Sequence, residues 1–169
     1  ENGDYQYLGA CWAMGVMGVM AFLSLSLGMT APYGRYSRAG WGYLLPARTA
    51  WLLQEAPSFL CFAWMLLQGD RSRLRELHNA VPAGLFLAHY FNRSFIYPLR
   101  IRGGKPTPLV VFLMALFFCV YNGVLQGYYF AWLAPHSPPP PARLWGGVAI
   151  FAIGMGINLH SDSVLRGLR

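Results

Sequence analysis

Glu55 is the only Asp or Glu that lies deep in any apolar run of this 169-residue chain. It sits in Trp51-Leu52-Leu53-Gln54-Glu55-Ala56-Pro57-Ser58-Phe59, near the middle of an apolar stretch from about Leu44 to Leu67. That stretch has the length that spans a bilayer's hydrocarbon core. A carboxylate at such depth is costly, so it faces a protein interior or cavity and has a task there. The plainer reading is a structural Glu bonded to a neighbouring helix. A second group lies in His78 to Ile101, where His89, Tyr90, Asn92 and Arg93 interrupt an apolar run. Helical spacing puts His89, Asn92 and Arg93 on roughly one side, with Tyr90 one step around beside Phe86 and Ser94. Arg93 must be paired. A salt bridge to Glu55 is one expectation. The other is that Arg93 pairs with carbonyls or a bound anion and leaves Glu55 desolvated and protonated. Glu55, His89 and Arg93 could equally form a proton relay.

The elements that hold these groups follow from composition. Hydrophobic residues make up 56% of the chain, aromatic residues 16% and charged residues 11%. A soluble domain carries about a quarter charged residues. The apolar residues also cluster in long runs. The expected fold is all-α: a single polytopic transmembrane bundle over residues 1–169, with five visible spans. Net charge is +7, and the arginines fall between spans, which favours topology and anionic ligands over nucleic acid. Cys11, Cys61 and Cys119 each fall inside an apolar run, at a spacing that matches no metal motif, and read as buried packing residues. No metal site is expected. The first apolar run is too long, and lacks the basic flank, for a cleavable signal.

Taken in order, Tyr7 to Met29 is the first span, with Gly15, Gly18 and Gly28 expected to admit a close helix. Its methionines read as packing. Thr30 to Tyr43 is a loop whose Tyr33, Arg35, Tyr36, Arg38 and Trp41 form an interfacial belt, or in which Arg35 contacts a phosphate. Pro57, two residues after Glu55, fits a cavity wall in the second span. Gly69 to Leu77 is a solvated connector. Arg100 to Pro108 is a cationic turn that serves as a positive flank or a ligand cradle, without a Walker or dinucleotide glycine pattern. Pro108 to Ala134 is the fourth span, with Asn122 and Gln126 placed for interhelical hydrogen bonds. Pro135 to Ala142 is a stiff connector. Leu144 to about Leu159 is the fifth span, running into a polar face at Asn158, Asp162, Leu165 and Arg169. Arg35, Arg38, Arg48, Arg100, Arg102, Lys105, Arg166 and Arg169 share one side of this topology, which is expected to be cytoplasmic.

The chain also resembles the steroid 5α-reductases. The resemblance rests on Pro32-Tyr33-Gly34-Arg35, Leu45-Pro46-Ala47-Arg48, Trp51-x-x-Gln54-Glu55-x-Pro57-Ser58 and His89-Tyr90-Phe91-x-Arg93-Ser94-Phe95-Ile96-Tyr97. It continues through Arg102-Gly103-Gly104-Lys105-Pro106, Asn122-Gly123-x-Leu125-Gln126, and Gly154-Met155-x-Ile157-Asn158-x-His160-Ser161-Asp162-x-x-Leu165-Arg166-x-Leu168-Arg169. These motifs occur in order from about residue 31 to the end. The family has seven transmembrane helices, and there the last motif is followed by Lys-Pro-Gly and a long region with two more helices. This chain stops at Arg169, so it resembles a truncated member.

The resemblance implies an NADPH-dependent reductase of the Δ4 double bond of 3-oxo-Δ4-steroids, with hydride delivered to C5. Glu55 and Tyr90 would stabilise the enolate oxygen, and Gln54 would orient Glu55 or touch substrate. Trp51 would wall the steroid pocket. Asn158, Asp162 and Arg169 would contact the cofactor, with Arg102, Lys105 and Arg35 toward its phosphates. The expected partners are a steroid entering from the lipid phase and the membrane lipids, with no nucleic acid; a monomer is compatible with all of this. The expected location is the endoplasmic reticulum membrane in a eukaryote, or the inner membrane in a bacterium, with the cofactor side cytoplasmic. The rival readings are a polyprenol or enoyl-thioester reductase and a proton-coupled transporter using Glu55, His89 and Arg93.

Overall fold

In the computed structural model, residues 2–32, 34–36, 38 and 40–167 are described, apart from the side chains of Asn2 and Arg35. Five helical segments run up and down. Helix α1 is Asn2–Ser26 and α2 is Ala47–Gln68. Helix α3, Leu77–Phe91, continues through a π-helical turn, Asn92–Ile96, into Tyr97–Arg100. Helix α4, Leu109–Tyr128, ends in a second π-helical turn, Tyr129–Leu133, and α5 is Pro141–Gly167. Four of these are long and apolar enough to cross a membrane: 3–26, 47–68, 109–133 and 141–167. The third expected span is present but divided by its π-turn.

Proline explains both π-turns. The Tyr97 amide bonds Asn92 O, five residues back. Arg93 O would next receive Pro98, which has no N–H to give. Trp51 Nε1, from α2, donates to that carbonyl instead, at 3.1 Å. The second turn repeats the device. The Ala134 amide bonds Tyr129 O at 2.7 Å, and Pro135 stands four residues after Ala131 with no hydrogen to offer. The Asp70 amide, just past the end of α2, takes Ala131 O at 2.9 Å.

The most extensive helix contact is α2 with α4. Glycine allows it. A Cβ at Gly123 would stand 2.8 Å from Pro57 O, and one at Gly127 would stand 2.7 Å from Met65 Cβ. The glycines expected to serve this purpose, Gly15, Gly18 and Gly28, have nothing within 4 Å of such a Cβ. Helix α1 touches α4 nearer its start, through Tyr7 on Tyr128 and the Tyr121 hydroxyl on Ala10 O at 2.8 Å. Most of its large side chains stay exposed on the described chain, as an apolar span permits. The aromatic core is Phe62 with Phe86 and Phe130.

Two ends result. At one, a two-residue antiparallel ladder joins β1 (Leu44–Leu45) to β2 (Thr107–Pro108), and Arg48 donates to Ile101 O at 2.9 Å. The adjacent Gly103 and Gly104, at φ 66° and 103°, make the turn between Arg102 and Lys105 in backbone that side chains avoid. At the other end, buried Asn79 donates to Pro135 O at 2.8 Å and to Arg73 O at 3.2 Å. There the Ser72 hydroxyl and amide bond Asp70 and hold its carboxyl below the usual carboxylate range.

The Gly123 contact is backbone against backbone, so Gly123→Ala should cost about 1–3 kcal/mol through overpacking. Thermal unfolding in detergent should show a melting temperature lowered by several degrees, with Gly15→Ala close to the parent protein. Equal effects of the two would contradict the α2–α4 packing.

Candidate functional site

The site forms where α2, α3 and α4 meet. Glu55 and Ser58 are one turn apart on α2, and Cys119 and Asn122 are one turn apart on α4. The Cys119 thiol lies 3.9 Å from Glu55 Oε2, with Gln54 as the carboxyl's other hydrogen-bonding neighbour. Ser58, fully buried, donates to Cys119 O at 3.2 Å. Asn122 Nδ2 donates to the Tyr90 hydroxyl at 2.9 Å, and that hydroxyl also reaches Ser58. Tyr90 lies close enough to Glu55 to feel its charge. Glu55 meets Cys119 and Tyr90 meets Asn122, so both expected residues border the same stretch of α4. Cys119 had the sequence signature of packing alone.

Arg93 follows neither course expected for it. Its Nη1 pairs with Asp162 Oδ2 at 3.1 Å, across from α5. Its guanidinium also lies over the rings of Trp51 and Tyr97, at 4.6 and 4.9 Å from their centroids. The physical reason is position: on the π-turn, Arg93 faces α5 and the aromatic pair, while Glu55 faces α4. A cation held by one carboxylate and two aromatic faces is satisfied inside an apolar bundle. His89 likewise faces α5, with Nδ1 3.4 Å from Met155 Sδ.

The expected residues therefore divide into two groups. Trp51, Gln54, Glu55 and Tyr90 line the α2–α3 junction. Asn158 and Asp162 lie one turn apart on the inner face of α5, joined to that junction by Arg93. Arg102 and Lys105 are exposed at the end made by the β1–β2 ladder. Arg169 and the side chain of Arg35 lie outside the described residues. Three buried polar atoms here have no hydrogen-bond partner: Gln54 Oε1, Ser94 Oγ and Asn158 Oδ1. No cluster of metal-ligating side chains occurs among the described residues. Pro57 sits inside an unbroken α2, with its carbonyl against Gly123 of α4. A cavity of about 490 Å³ opens instead between α3, α4 and α5, lined by Phe86, Gln126, Phe130, Val148 and Phe151 among others. Phe86 connects it to the site by packing its ring against Tyr90 at a 42° tilt, with ring centroids 4.6 Å apart.

Fold and site together define a membrane-spanning helical protein with a carboxylate and a phenol converging inside the bundle. Comparison with known proteins narrows this. Residues 105–169 match the family described as 3-oxo-5-alpha-steroid 4-dehydrogenase. The chain is 43% identical over 158 residues to 3-oxo-5-alpha-steroid 4-dehydrogenase 1 of Bos taurus, covering 90% of this chain and 61% of that protein. It is 44% identical over 162 residues to the type 1 protein of Rattus norvegicus, covering 90% and 60%. It is 45% identical over 157 residues to 3-oxo-5-alpha-steroid 4-dehydrogenase 2 of Mus musculus, covering 90% and 61%. The chain is thus similar over 90% of its own length to 3-oxo-5-alpha-steroid 4-dehydrogenases, and it spans about 60% of the length of these curated relatives.

The Arg93–Asp162 pair is largely buried, so breaking either side should cost on the order of 3–5 kcal/mol. Thermal unfolding of Arg93→Met, Asp162→Leu and the double variant should show the double losing far less than the two singles together. Additive losses would contradict the pairing.

Proposed function

We propose that this chain is the substrate-activating part of an NADPH-dependent reductase of the C4=C5 double bond in 3-oxo-Δ4-steroids. The observation that carries the reading is the convergence of Glu55 and Tyr90 on one buried locus between three helices. Homology to proteins named for steroid dehydrogenation supports the substrate class.

Addition of hydride at C5 drives an electron pair through C4 onto the 3-oxo oxygen. Glu55 in its protonated form and the Tyr90 phenol donate hydrogen bonds to that oxygen, where the negative charge develops. C4 then takes up a proton from water, and the ketone is restored. Commitment of Arg93 to Asp162 supports this use of Glu55, because it removes the nearest candidate for an ion pair. Trp51, already fixed by Arg93 O, bounds the junction on one side.

NADPH, when bound, supplies the hydride. The donor set fits it. Unpartnered Asn158 Oδ1 can accept from an amide, and Arg102 and Lys105, around two glycines of left-handed backbone, suit phosphates. These cationic loops lie at the end expected to be cytoplasmic, in an endoplasmic reticulum or bacterial inner membrane. The steroid enters from the lipid phase.

The assay is steroid-dependent NADPH oxidation in membranes expressing the full gene. Glu55→Gln keeps the shape of the side chain but offers a much weaker donor. It should lose turnover on the order of 100-fold while still binding NADPH. Near-normal turnover would remove Glu55 from the mechanism. Oxidation driven by a polyprenal or an enoyl thioester, and by no steroid, would move the substrate class.

A further inference from the structure

Asn122 is buried on α4, beside the glycine where α4 meets α2. Its amide is the group that donates to the Tyr90 oxygen. We propose that Asn122 is a positioning residue that fixes the direction of the Tyr90 hydroxyl, so that the phenol presents a hydrogen, and not a lone pair, to the substrate oxygen. The inference rests on the reading that Tyr90 faces that oxygen.

A phenol has one hydrogen to give and lone pairs to receive. An amide N–H only gives. The 2.9 Å bond therefore has a single polarity, and the phenol's own hydrogen must point away from Asn122. Ser58, one of the neighbours of the phenol, has its own hydroxyl turned to Cys119 O at 3.2 Å. A carbonyl that gains negative charge is a strong acceptor, so the phenol's hydrogen turns to it as charge develops. A residue that merely tied α3 to α4 would work with the bond in either direction.

Asn122→Asp tests the direction at nearly constant size. A carboxylate only accepts, so it draws the phenol's hydrogen away from the substrate. With a 3-oxo-Δ4-steroid and membranes expressing the full gene, kcat should fall on the order of 100-fold, with steroid KM and NADPH binding near those of the parent. The lost kcat should return as pH is lowered and the introduced carboxyl regains a hydrogen to donate. In a Tyr90→Phe background the same substitution should cost nothing further. If Asn122→Asp does not fold, Asn122→Leu carries the test, with a kcat loss beside Tyr90 and none beside Tyr90→Phe. Unchanged kcat, or an equal loss in the Tyr90→Phe background, would overturn the inference while leaving steroid reduction in place. Absence of steroid turnover by the parent enzyme would overturn both.

Discussion

A backbone carbonyl with no hydrogen-bond donor is expensive inside a bilayer, and prolines at the C-terminal turns of two helices in this chain create such carbonyls. Pro98 and Pro135 each withhold an N–H from the turn before them. Helix α2 satisfies both, with the Trp51 indole at one end and the Asp70 amide at the other. It is therefore pinned between the C-terminal turns of α3 and α4. Its rotation and height are set by these two bonds. That pinning turns Glu55 and Ser58 toward Cys119, and it places Trp51 under the Arg93 guanidinium.

The same constraint explains why the site can be both polar and stable. Ser58, Asn122 and Asp162 are all buried, and each has a named partner on another helix. Hydrogen bonds between helices in lipid contribute modestly one by one. Their larger effect here is to specify which faces meet. The close α2–α4 approach at Gly123 and Gly127 removes the space in which the helices could rotate. Gln54 Oε1, Ser94 Oγ and Asn158 Oδ1 are buried without a hydrogen-bond partner.

Much of this was legible in the sequence, for physical reasons. Long apolar runs separated by arginine-bearing loops identify the spans, and a lone deep carboxylate identifies Glu55. Helical spacing put Tyr90 and Arg93 on one segment. What spacing could not supply was the partner of Arg93, because Asp162 lies on α5, on a polar face at the end of the last span that was expected to meet the cofactor. The glycines that matter were also hidden. Gly15 and Gly123 look alike in sequence, and only the crossing point of a second helix distinguishes them. Pro57, inside α2, is the conspicuous proline in the sequence, whereas Pro98 and Pro135 lie one turn beyond the residues whose carbonyls they release to α2 and its C-terminal end. That signal was available. A proline four or five residues after a span residue marks a free carbonyl, and hence a donor elsewhere.

The central claim is that Glu55 and Tyr90 act on a single substrate oxygen. The direct measurement is kcat for steroid reduction by Glu55→Leu, Tyr90→Phe and the double variant, with NADPH binding measured alongside. Two donors serving one charge should be strongly coupled, so the double variant should lose much less than the product of the single losses. Losses that multiply, with NADPH binding intact in all three, would mean that the two side chains serve separate steps, and would contradict the account.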